Sequence, residues 1–342
     1  MPEPMNTATM LGVVEKKFKF QPFILSMFFP LEMTFDTKEL HFDKIAQSGK
    51  MAPFISPMVA GKPVRKQGHV RQSVEPAYVK PKHIVDPSLP IKSIVGEAPT
   101  GNLTVVDRRR WWRSHLLSEQ ELMILRREEW MATQAVVNGS VVISGEEYAT
   151  QHVDFGRSPE NNITLVGASK WNTVDPSTYD PSDDLEDWAL FASGPVNVAV
   201  MDKEAWRLFK GFKVVKEMLK RDSGSRTTME TGPKDLGMVA SYKGTFGADL
   251  EIWVYTGNVQ LDDDSYEPLL PAGTVLMGND GYQGIRAYGA IMDAKAQDSG
   301  IVKAKRYPKN WFTDEPSVEN LMTQSAPLMV TEDPDGFVVI RI

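Results

Sequence analysis

The sequence predicts a mixed α and β fold that carries an extended, helix-poor N-terminal third. Seven of the 15 phenylalanines fall between Phe18 and Phe42, and eight of the 23 prolines follow between Pro53 and Pro99. Beyond residue 100, capped helical patterns alternate with short apolar runs of strand character. Proline removes backbone donors and interrupts helices, so the first third has little means of covering its own aromatic surface. We expect neighbouring copies of the chain to bury these phenylalanines.

Composition sets the broad class of the protein. The chain has 342 residues, of which 42% are apolar and 24% charged, and its formal net charge is -7. These values predict a sizeable core in one elaborated domain or two compact modules. The acidic balance argues against a protein that mainly coats nucleic acid. The chain has no cysteine, which excludes disulfides, thiol nucleophiles and cysteine metal sites.

Membrane targeting is not expected. The N-terminus carries the acidic Glu3 and no long apolar run, and the most hydrophobic stretch, residues 23–29, is far too short to span a bilayer. We therefore expect neither a signal peptide nor a transmembrane helix.

The N-terminal third divides into two predicted parts, an arm at residues 1–52 and an extended finger at residues 53–100. Within the finger, residues 64–79 are rich in β-prone and basic side chains around a central Gly68, which predicts two strands that turn at this glycine. A proline-rich linker is the alternative, but the number of valines is high for a flexible tether.

The remaining elements are predicted from caps and periodicity. Ser118 and Glu121 have capping-box spacing and open a helix that should end at Asn138 and Gly139. A second helix should follow Pro181, and a third should run from Asp202 through Leu219. The predicted strands are residues 196–201, 250–255, 274–277 and 337–342.

Patterns that carry chemistry are weak. The five histidines, at positions 41, 69, 83, 115 and 152, lack the spacing of a zinc site. The acidic residues at 180–187 are best explained by helix capping, and the glycines at 278, 281 and 284 by turns, because neither set has the spacing of a calcium loop or a phosphate loop. We predict no catalytic residues, no cofactor and no metal site.

Two basic-aromatic clusters, residues 108–113 and 303–311, allow two interpretations. Such mixtures can stack on and neutralise single-stranded nucleic acid. Alternatively, the arginines pair with carboxylates of an adjoining subunit while the tryptophans pack. The excess of 45 carboxylates over 38 cations favours the second interpretation.

Eight short stretches, in order along the chain, resemble the major capsid proteins of lambda-like tailed bacteriophages. They are residues 78–83 (YVKPKH), 156–164 (GRSPENNIT), 177–184 (STYDPSDD), 212–217 (FKVVKE), 234–237 (KDLG), 241–244 (SYKG), 306–311 (RYPKNW) and 324–329 (QSAPLM). The resemblance extends along the chain from residues 17–20 (KFKF) in the arm to residues 333–335 (DPD). Residues 100–113 and 261–271 diverge from the family pattern.

The resemblance implies an α+β fold of the Hong Kong 97 capsid type. It implies an N-terminal arm (1–52), a finger or E-loop (53–100), a peripheral domain (101–192 and 304–342) with a spine helix at about 116–138, and an axial domain (193–303). Hexamers and pentamers of one polypeptide would form an icosahedral shell around packaged double-stranded DNA that is enclosed but not specifically bound. Assembly would take place in the bacterial host cytoplasm with a scaffold and a portal, without a membrane, and lambda-like capsids rely in addition on a separate decoration protein.

In such a shell, arm and finger would reach across neighbouring subunits. The residues predicted to make contacts between subunits are Phe18, Phe20, Arg65, Lys66, Arg71, Lys80, Lys82 and Trp311. Some relatives lock the shell with a lysine–asparagine isopeptide bond, for which Lys66 with Asn310 or Asn320 would be candidates, but we expect non-covalent locking. The rival functions are a hydrolase that uses paired carboxylates and a single-stranded nucleic-acid-binding protein.

Overall fold

The structure is a computed structural model that describes residues 22–45, 54, 58, 60, 69–92, 103–145, 148–221, 239–247, 250–260 and 264–342. The side chains at 42–45, 69–72, 148 and 218–221 are outside this description. Four of the predicted contact residues, Phe18, Phe20, Arg65 and Lys66, lie outside the described residues, and so does Gly68.

Six α-helices can be numbered in chain order in the described ranges. They are α1 (Phe23–Phe28), α2 (Val105–Asn138), α3 (Pro181–Ala189), α4 (Lys203–Phe209), α5 (Lys213–Arg221) and α6 (Ala294–Asp298). Short 3-10 turns lie at Leu89–Ile91, Pro159–Asn161, Gly167–Ser169 and Pro334–Gly336. None of the described helices is both long enough and apolar enough to cross a bilayer.

The described strands form six sheets. The strands are β1 (Leu31–Thr34), β2 (Leu40–Ile45), β3 (His69–Val74), β4 (Lys82–Val85), β5 (Ser140–Gly145), β6 (Tyr148–Asp154), β7 (Asn162–Thr164), β8 (Val198–Met201), β9 (Ala240–Phe246), β10 (Leu250–Tyr255), β11 (Asn258–Gln260), β12 (Tyr266–Pro268), β13 (Thr274–Gly278), β14 (Ile285–Tyr288), β15 (Tyr307–Thr313), β16 (Val318–Gln324), β17 (Pro327–Val330) and β18 (Val338–Arg341). The largest sheet has the order β7-β18-β13-β8-β10-β9. Two three-stranded sheets have the orders β1-β14-β17 and β15-β16-β4.

Helix α2 begins 13 residues before the predicted Ser118. Its cap is a capping box of Thr104 and Asp107, and the hydroxyl of Ser118 instead donates to the carbonyl of Ser114 at 2.8 Å inside the helix. The predicted start was wrong because the basic-aromatic stretch 108–113 conceals the apolar spacing of the first turns. The predicted end is confirmed: α2 stops at Asn138, and Gly139 has a φ of 66°.

A buried arginine fixes the C-terminal end of α2. The Nη1 of Arg157 donates to the carbonyl of Val137 at 3.0 Å, and its Nε donates to the carbonyl of Pro334 at 3.0 Å. Burial lowers the pKa of Arg157 to about 10. Because the last carbonyls of a helix have no partner within the helix, a guanidinium here both caps α2 and joins it to the loop before β18.

The helix predicted from Asp202 through Leu219 is divided into α4 and α5. Asp202 caps α4 as predicted, accepting from the backbone of Glu204 and Ala205 at 2.8 Å. The break is at Gly211, where an added Cβ would lie 2.8 Å from the carbonyl oxygen of Leu208. The chain therefore turns at Gly211 because only a residue without a side chain fits there.

The expectation that neighbouring copies bury the N-terminal phenylalanines is wrong for three of them. The side chains of Phe23, Phe28 and Phe29 are fully buried inside this chain. Phe28 packs edge-on against Phe337 at 5.0 Å between ring centroids, and Phe23 lies 5.1 Å from Trp253. Helix α1 is thus part of the main core, in one apolar cluster with α2 and the six-stranded sheet.

The strand pairing at the base of the finger differs from the predicted turn at Gly68. Strand β3 pairs antiparallel with β2, so that His69 lies opposite Ile45 and Val74 opposite Leu40. The partner of this strand therefore comes from residues assigned to the arm. Sequence spacing could not detect the pairing because the two strands are separated by more than 20 residues.

Two of the glycines predicted to form turns serve close packing instead. A Cβ on Gly278, which ends β13, would lie 2.7 Å from the ring of Phe337. A Cβ on Gly284 would clash with the carbonyl oxygen of Phe28. Both positions thus let the aromatic core of α1 and the C-terminal residues approach the backbone.

Candidate assembly surfaces and the ionic contacts behind them

A buried carboxylate attaches α1 to α2. The Glu129 carboxylate accepts from the backbone N–H groups of Phe23, Ile24 and Leu25 at 3.0, 2.9 and 2.8 Å, and from the hydroxyl of Tyr255 at 2.7 Å. Burial raises the pKa of the Glu129 carboxyl, and the hydrogen bonds that it accepts oppose this shift. These four donors, three in α1 and one in β10, all point at the Glu129 side chain. Glu129 therefore fixes where the described N-terminal segment enters the core.

An arginine holds the other end of α1. The Nε of Arg286 donates to the carbonyl of Phe29 at 2.6 Å, and its Nη2 donates to that of Leu25 at 3.1 Å. Arg286 also pairs with Glu32 at 3.1 Å, and Lys305 binds the same carboxylate at 2.6 Å. Burial raises the pKa of Glu32, but the hydrogen bond and charge of Lys305 and the charge of Arg286 outweigh it, so this pKa lies below its ordinary value.

The first basic-aromatic cluster is neutralised within the chain, not by a neighbouring subunit as we expected. Arg109 and Arg113 both pair with the buried Glu319 of β16, at 3.0 and 2.8 Å. The Nδ2 of Asn310 donates to the same carboxylate at 3.0 Å. Glu319 thereby joins the N-terminal turns of α2 to the β15-β16 hairpin.

The second cluster is neutralised in the same way. Arg306 is buried and contacts Glu121 at 2.9 Å and Glu128 at 2.8 Å, both on α2. Burial lowers the pKa of the Arg306 guanidinium, but the charges of Glu128 and Glu121 outweigh it and raise the pKa above its ordinary value. Because Arg109, Arg113 and Arg306 are committed to internal carboxylates, these three arginines are not available to neutralise single-stranded nucleic acid.

The sheet β15-β16-β4 brings two predicted contact residues together. The Nζ of Lys82 on β4 lies 5.3 Å from the ring centroid of Trp311 on β15. The Nζ of Lys309, also on β15, lies 6.0 Å from the same ring centroid. Ile84 is 56% exposed two residues beyond Lys82. We call Lys82, Ile84, Lys309, Trp311 and Met322 the outer sheet face.

The other predicted contact residues are not gathered there by any contact that the structure describes. Lys80 is exposed, and its Nζ lies 4.5 Å from the ring centroid of Tyr78. The backbone of Arg71 lies opposite Asp43 in the β2-β3 pair, and its side chain is outside the description. A role for these residues in subunit contacts stays a prediction.

The two asparagines considered for a covalent link are buried. Asn310 is 8% exposed and Asn320 is 3% exposed. Their side-chain amides donate to Glu319 at 3.0 Å and to Thr313 at 2.9 Å. A lysine of another subunit would have to displace these internal hydrogen bonds to reach either amide carbon.

Sequence reasoning missed the carboxylates that organise this region. Glu121, Glu128 and Glu129 lie on the buried side of α2, and Glu319 lies on a buried strand. The available signal was their placement among apolar residues at core-facing spacing, since an isolated buried charge is too costly to be tolerated without a partner. That spacing could reveal that partners exist but not which residues they are.

Comparison with known proteins identifies the family. The profile of the family "Phage major capsid protein E" matches residues 6–342. Over 338 residues, 98% of each chain, the sequence is 43% identical to the major capsid protein of Escherichia phage N15 and 42% identical to that of Escherichia phage lambda. The crystal structure of a putative capsid protein from a prophage of E. coli CFT073 is similar with a TM-score of 0.78 and 30% identity, covering 99% of both chains. The chain therefore belongs to the phage major capsid protein E family and is a structural capsid protein with the Hong Kong 97-type α+β fold, not an enzyme.

Proposed function

We propose that this chain forms hexamers and pentamers that close into the icosahedral shell of a tailed bacteriophage around its double-stranded DNA. The observation that carries the proposal is the full-length similarity to major capsid proteins together with the shared fold. The shell would assemble in the host cytoplasm around a scaffold and a portal, and a decoration protein is a further expected partner. The DNA would be enclosed without specific binding.

The distribution of internal contacts supports this function. Helix α2, the spine of the molecule, is joined through Glu129 to α1, through Glu319 to β16 and through Glu121 to Arg306. A subunit whose elements are joined by buried ion pairs and hydrogen bonds can transmit force from one neighbour to the next without unfolding. Individually modest contacts between such subunits become strong when they are repeated around every copy.

We assign the contacts between subunits to the arm (1–52), the finger (53–100) and the outer sheet face. Phe18 and Phe20 would act as apolar anchors, Arg65, Lys66 and Arg71 as charged finger contacts, and Lys80, Lys82 and Trp311 as contacts near β4 and β15. Because Glu129 holds the backbone from Phe23 onwards, the arm's contacts with a neighbour are assigned to the residues that precede Phe23 in the sequence.

Assembly of the purified chain tests the proposal directly. The chain should be expressed alone and with a scaffold protein, sedimented through a gradient, and imaged by negative stain. Closed particles of uniform size are expected. A chain that remains monomeric under all these conditions, although folded by circular dichroism, would contradict the shell function.

The arm is tested by the double substitution Phe18→Ala and Phe20→Ala. We expect a folded chain that does not form shells, because both residues precede α1 in the sequence and the phenylalanines of the following segment, Phe23, Phe28 and Phe29, already fill the core.

Boiling wild-type particles in detergent and resolving them on a gel tests the locking. Monomers are expected, whereas a ladder of multimers would establish covalent links.

A further inference from the structure

The sheet β15-β16-β4 is covered by α2 on one face, and within the described residues its other face is covered by residues of α6 only at the Tyr307 end. On the covered face, Leu321 and Val85 pack on Leu116 of α2, and Thr323 donates to Gln120 of the same helix at 2.7 Å. The strand register places alternate residues on the opposite face, in the cross-strand rows Lys82–Met322–Lys309 and Ile84–Asn320–Trp311. Asp293, at the start of α6, reaches Lys309 on this face and Asn320 is buried in it, whereas Lys82 and Ile84 on the edge strand β4 stay exposed.

The chemistry of the outer sheet face is cationic and apolar at once. The ammonium groups of Lys82 and Lys309 lie 5.3 and 6.0 Å from the ring centroid of Trp311, and Ile84 is more than half exposed. Lys309 pairs with Asp293 at 2.7 Å, but no ion pair joins Lys82 to a carboxylate within the described part of the chain. A complementary surface would therefore supply carboxylates next to one or two apolar side chains.

Helix α3 presents such a surface. Its inward side buries Leu185 and Trp188, and its outward side exposes Asp183, Glu186 and Asp187. Leu190, directly after the helix, is 82% exposed. The spacing of these four residues, i, i+3, i+4 and i+7, puts them on one side of the helix. We call Asp183, Glu186, Asp187 and Leu190 the acidic helix face.

The stability of α3 does not account for two of these carboxylates. Asp183 lies in the first turn, where negative charge opposes the helix dipole favourably. Glu186 and Asp187 lie towards the C-terminal end, where negative charge is unfavourable, and both are close enough to Asp183 to repel it. Within the described part of the chain, none of the three carboxylates, Asp183, Glu186 and Asp187, forms an ion pair with a basic side chain. Together with the exposed Leu190, this points to a cationic and apolar surface outside the chain.

We propose that the acidic helix face of one subunit docks on the outer sheet face of the next copy of this chain. The inference rests on the shell function proposed above. Lys82 pairs with Glu186 and Asp187 across the contact, and Leu190 packs beside Ile84 and Trp311. Because the two faces are different patches, the contact is head-to-tail, and each subunit offers one of each to its two neighbours. Repetition of such a contact closes a ring, as a capsomer requires.

Disulfide trapping tests the contact. Because the sequence contains no cysteine, only the introduced cysteines can form a disulfide. One preparation carries Ile84→Cys and the other Leu190→Cys; both are co-assembled and mildly oxidised. A cross-linked dimer should form in the mixture and in neither preparation alone. A chain that carries both cysteines should give a ladder of multimers. Equal dimer yield from either single variant would mean a symmetric contact and would overturn the proposal.

Ile91→Cys provides the matched control. Ile91 is 70% exposed, as accessible as the tested positions, and lies on the 3-10 turn after β4, away from the outer sheet face. Mixed with Leu190→Cys, it should give little dimer. As much dimer as from Ile84→Cys would mean random collision and would overturn the proposal.

Charge reversal tests the chemistry of the contact. Lys82→Glu and Glu186→Lys should each reduce the rate of the 84–190 cross-link by roughly five-fold, and the two reversals together should restore it. Loss without restoration would overturn the pairing of these residues. Wild-type particles that form normally while no 84–190 dimer appears would overturn the contact and leave the shell function intact. Failure of the unmodified chain to form any multimer would overturn both.

Discussion

Helix α1 and the outer sheet face look alike in the sequence and have opposite fates in the fold. Both combine large apolar side chains with nearby charges, and both were assigned to contacts between subunits. Yet Phe23 and Phe28 are fully buried inside their own chain, whereas Ile84 remains 56% exposed. The difference lies in the polar groups: α1 is held at one end by Glu129 and at the other by Arg286, and nothing described covers Ile84.

This difference teaches that apolar density alone does not distinguish a core from an interface. Helix α1 has six residues and is too short to be stable as an isolated helix. It becomes part of the core because buried side chains satisfy its free backbone groups at both ends. The strands of the outer sheet face are held in place by the ladder through β16, so the exposed side chains of β4 can remain available to another subunit.

The largest effect should come from truncating the aromatic core of α1. Phe28→Ala should lower the free energy of unfolding by about 3 to 5 kcal/mol, because it leaves a cavity against Phe337 that the core cannot refill. Ile84→Ser, on the outer sheet face, should change it by less than about 0.5 kcal/mol. Urea unfolding of the unassembled chain measures both. Equal losses would erase the distinction between the two regions.

A smaller loss is expected at the polar end of α1. Glu129→Gln replaces one acceptor oxygen by an amide that faces backbone N–H donors, and should lower the free energy of unfolding by about 2 to 3 kcal/mol. The control is Glu119→Gln on the same helix, whose side chain is 51% exposed and which should be nearly neutral. If Glu129→Gln proves as mild as the control, the buried carboxylate does not hold α1.

The smallest effect concerns the pH dependence at the C-terminal end of α1. The pKa of Glu32 in the folded chain lies below the ordinary value of 4.5, so the ionised form stabilises the fold above that pH. This contribution should be lost as the pH falls below 4.5 and through the lower folded value. Glu32→Gln should flatten this part of the curve of unfolding free energy against pH. An unchanged acid limb in the variant would show that the pairs with Lys305 and Arg286 add no stability.

The local elements of the fold were largely predictable. Asp202 marks the start of α4, Gly139 the end of α2, and the apolar run at 274–277 lies within β13. These signals work because caps and periodicity act within a few residues. The start of α2 was missed because its first turns carry arginines that contact Glu319, more than 200 residues away in the sequence. These turns lack the apolar spacing that predicts a helix.

The candidate site was predictable only in part. Lys82 and Trp311 were singled out from the sequence, and the sheet brings them within 5.3 Å. Their common neighbours Ile84 and Lys309 could be recognised only after the register of β4, β15 and β16 was known. A shift of one residue in that register would turn the same side chains towards α2.

The amino-acid sequence by itself determined the mixed α and β class, the family, and the helix ends at Gly139, Pro181 and Asp202, since each depends on short patterns or on similarity along the chain. Only the tertiary structure decided which phenylalanines belong to the core, which arginines are neutralised internally and which residues of the sheet stay exposed. Those outcomes depend on partners distant in sequence, such as Glu129 for α1 and Glu319 for Arg113. Burial and ion pairing are properties of such pairs, and a linear pattern contains only one member of each at a time.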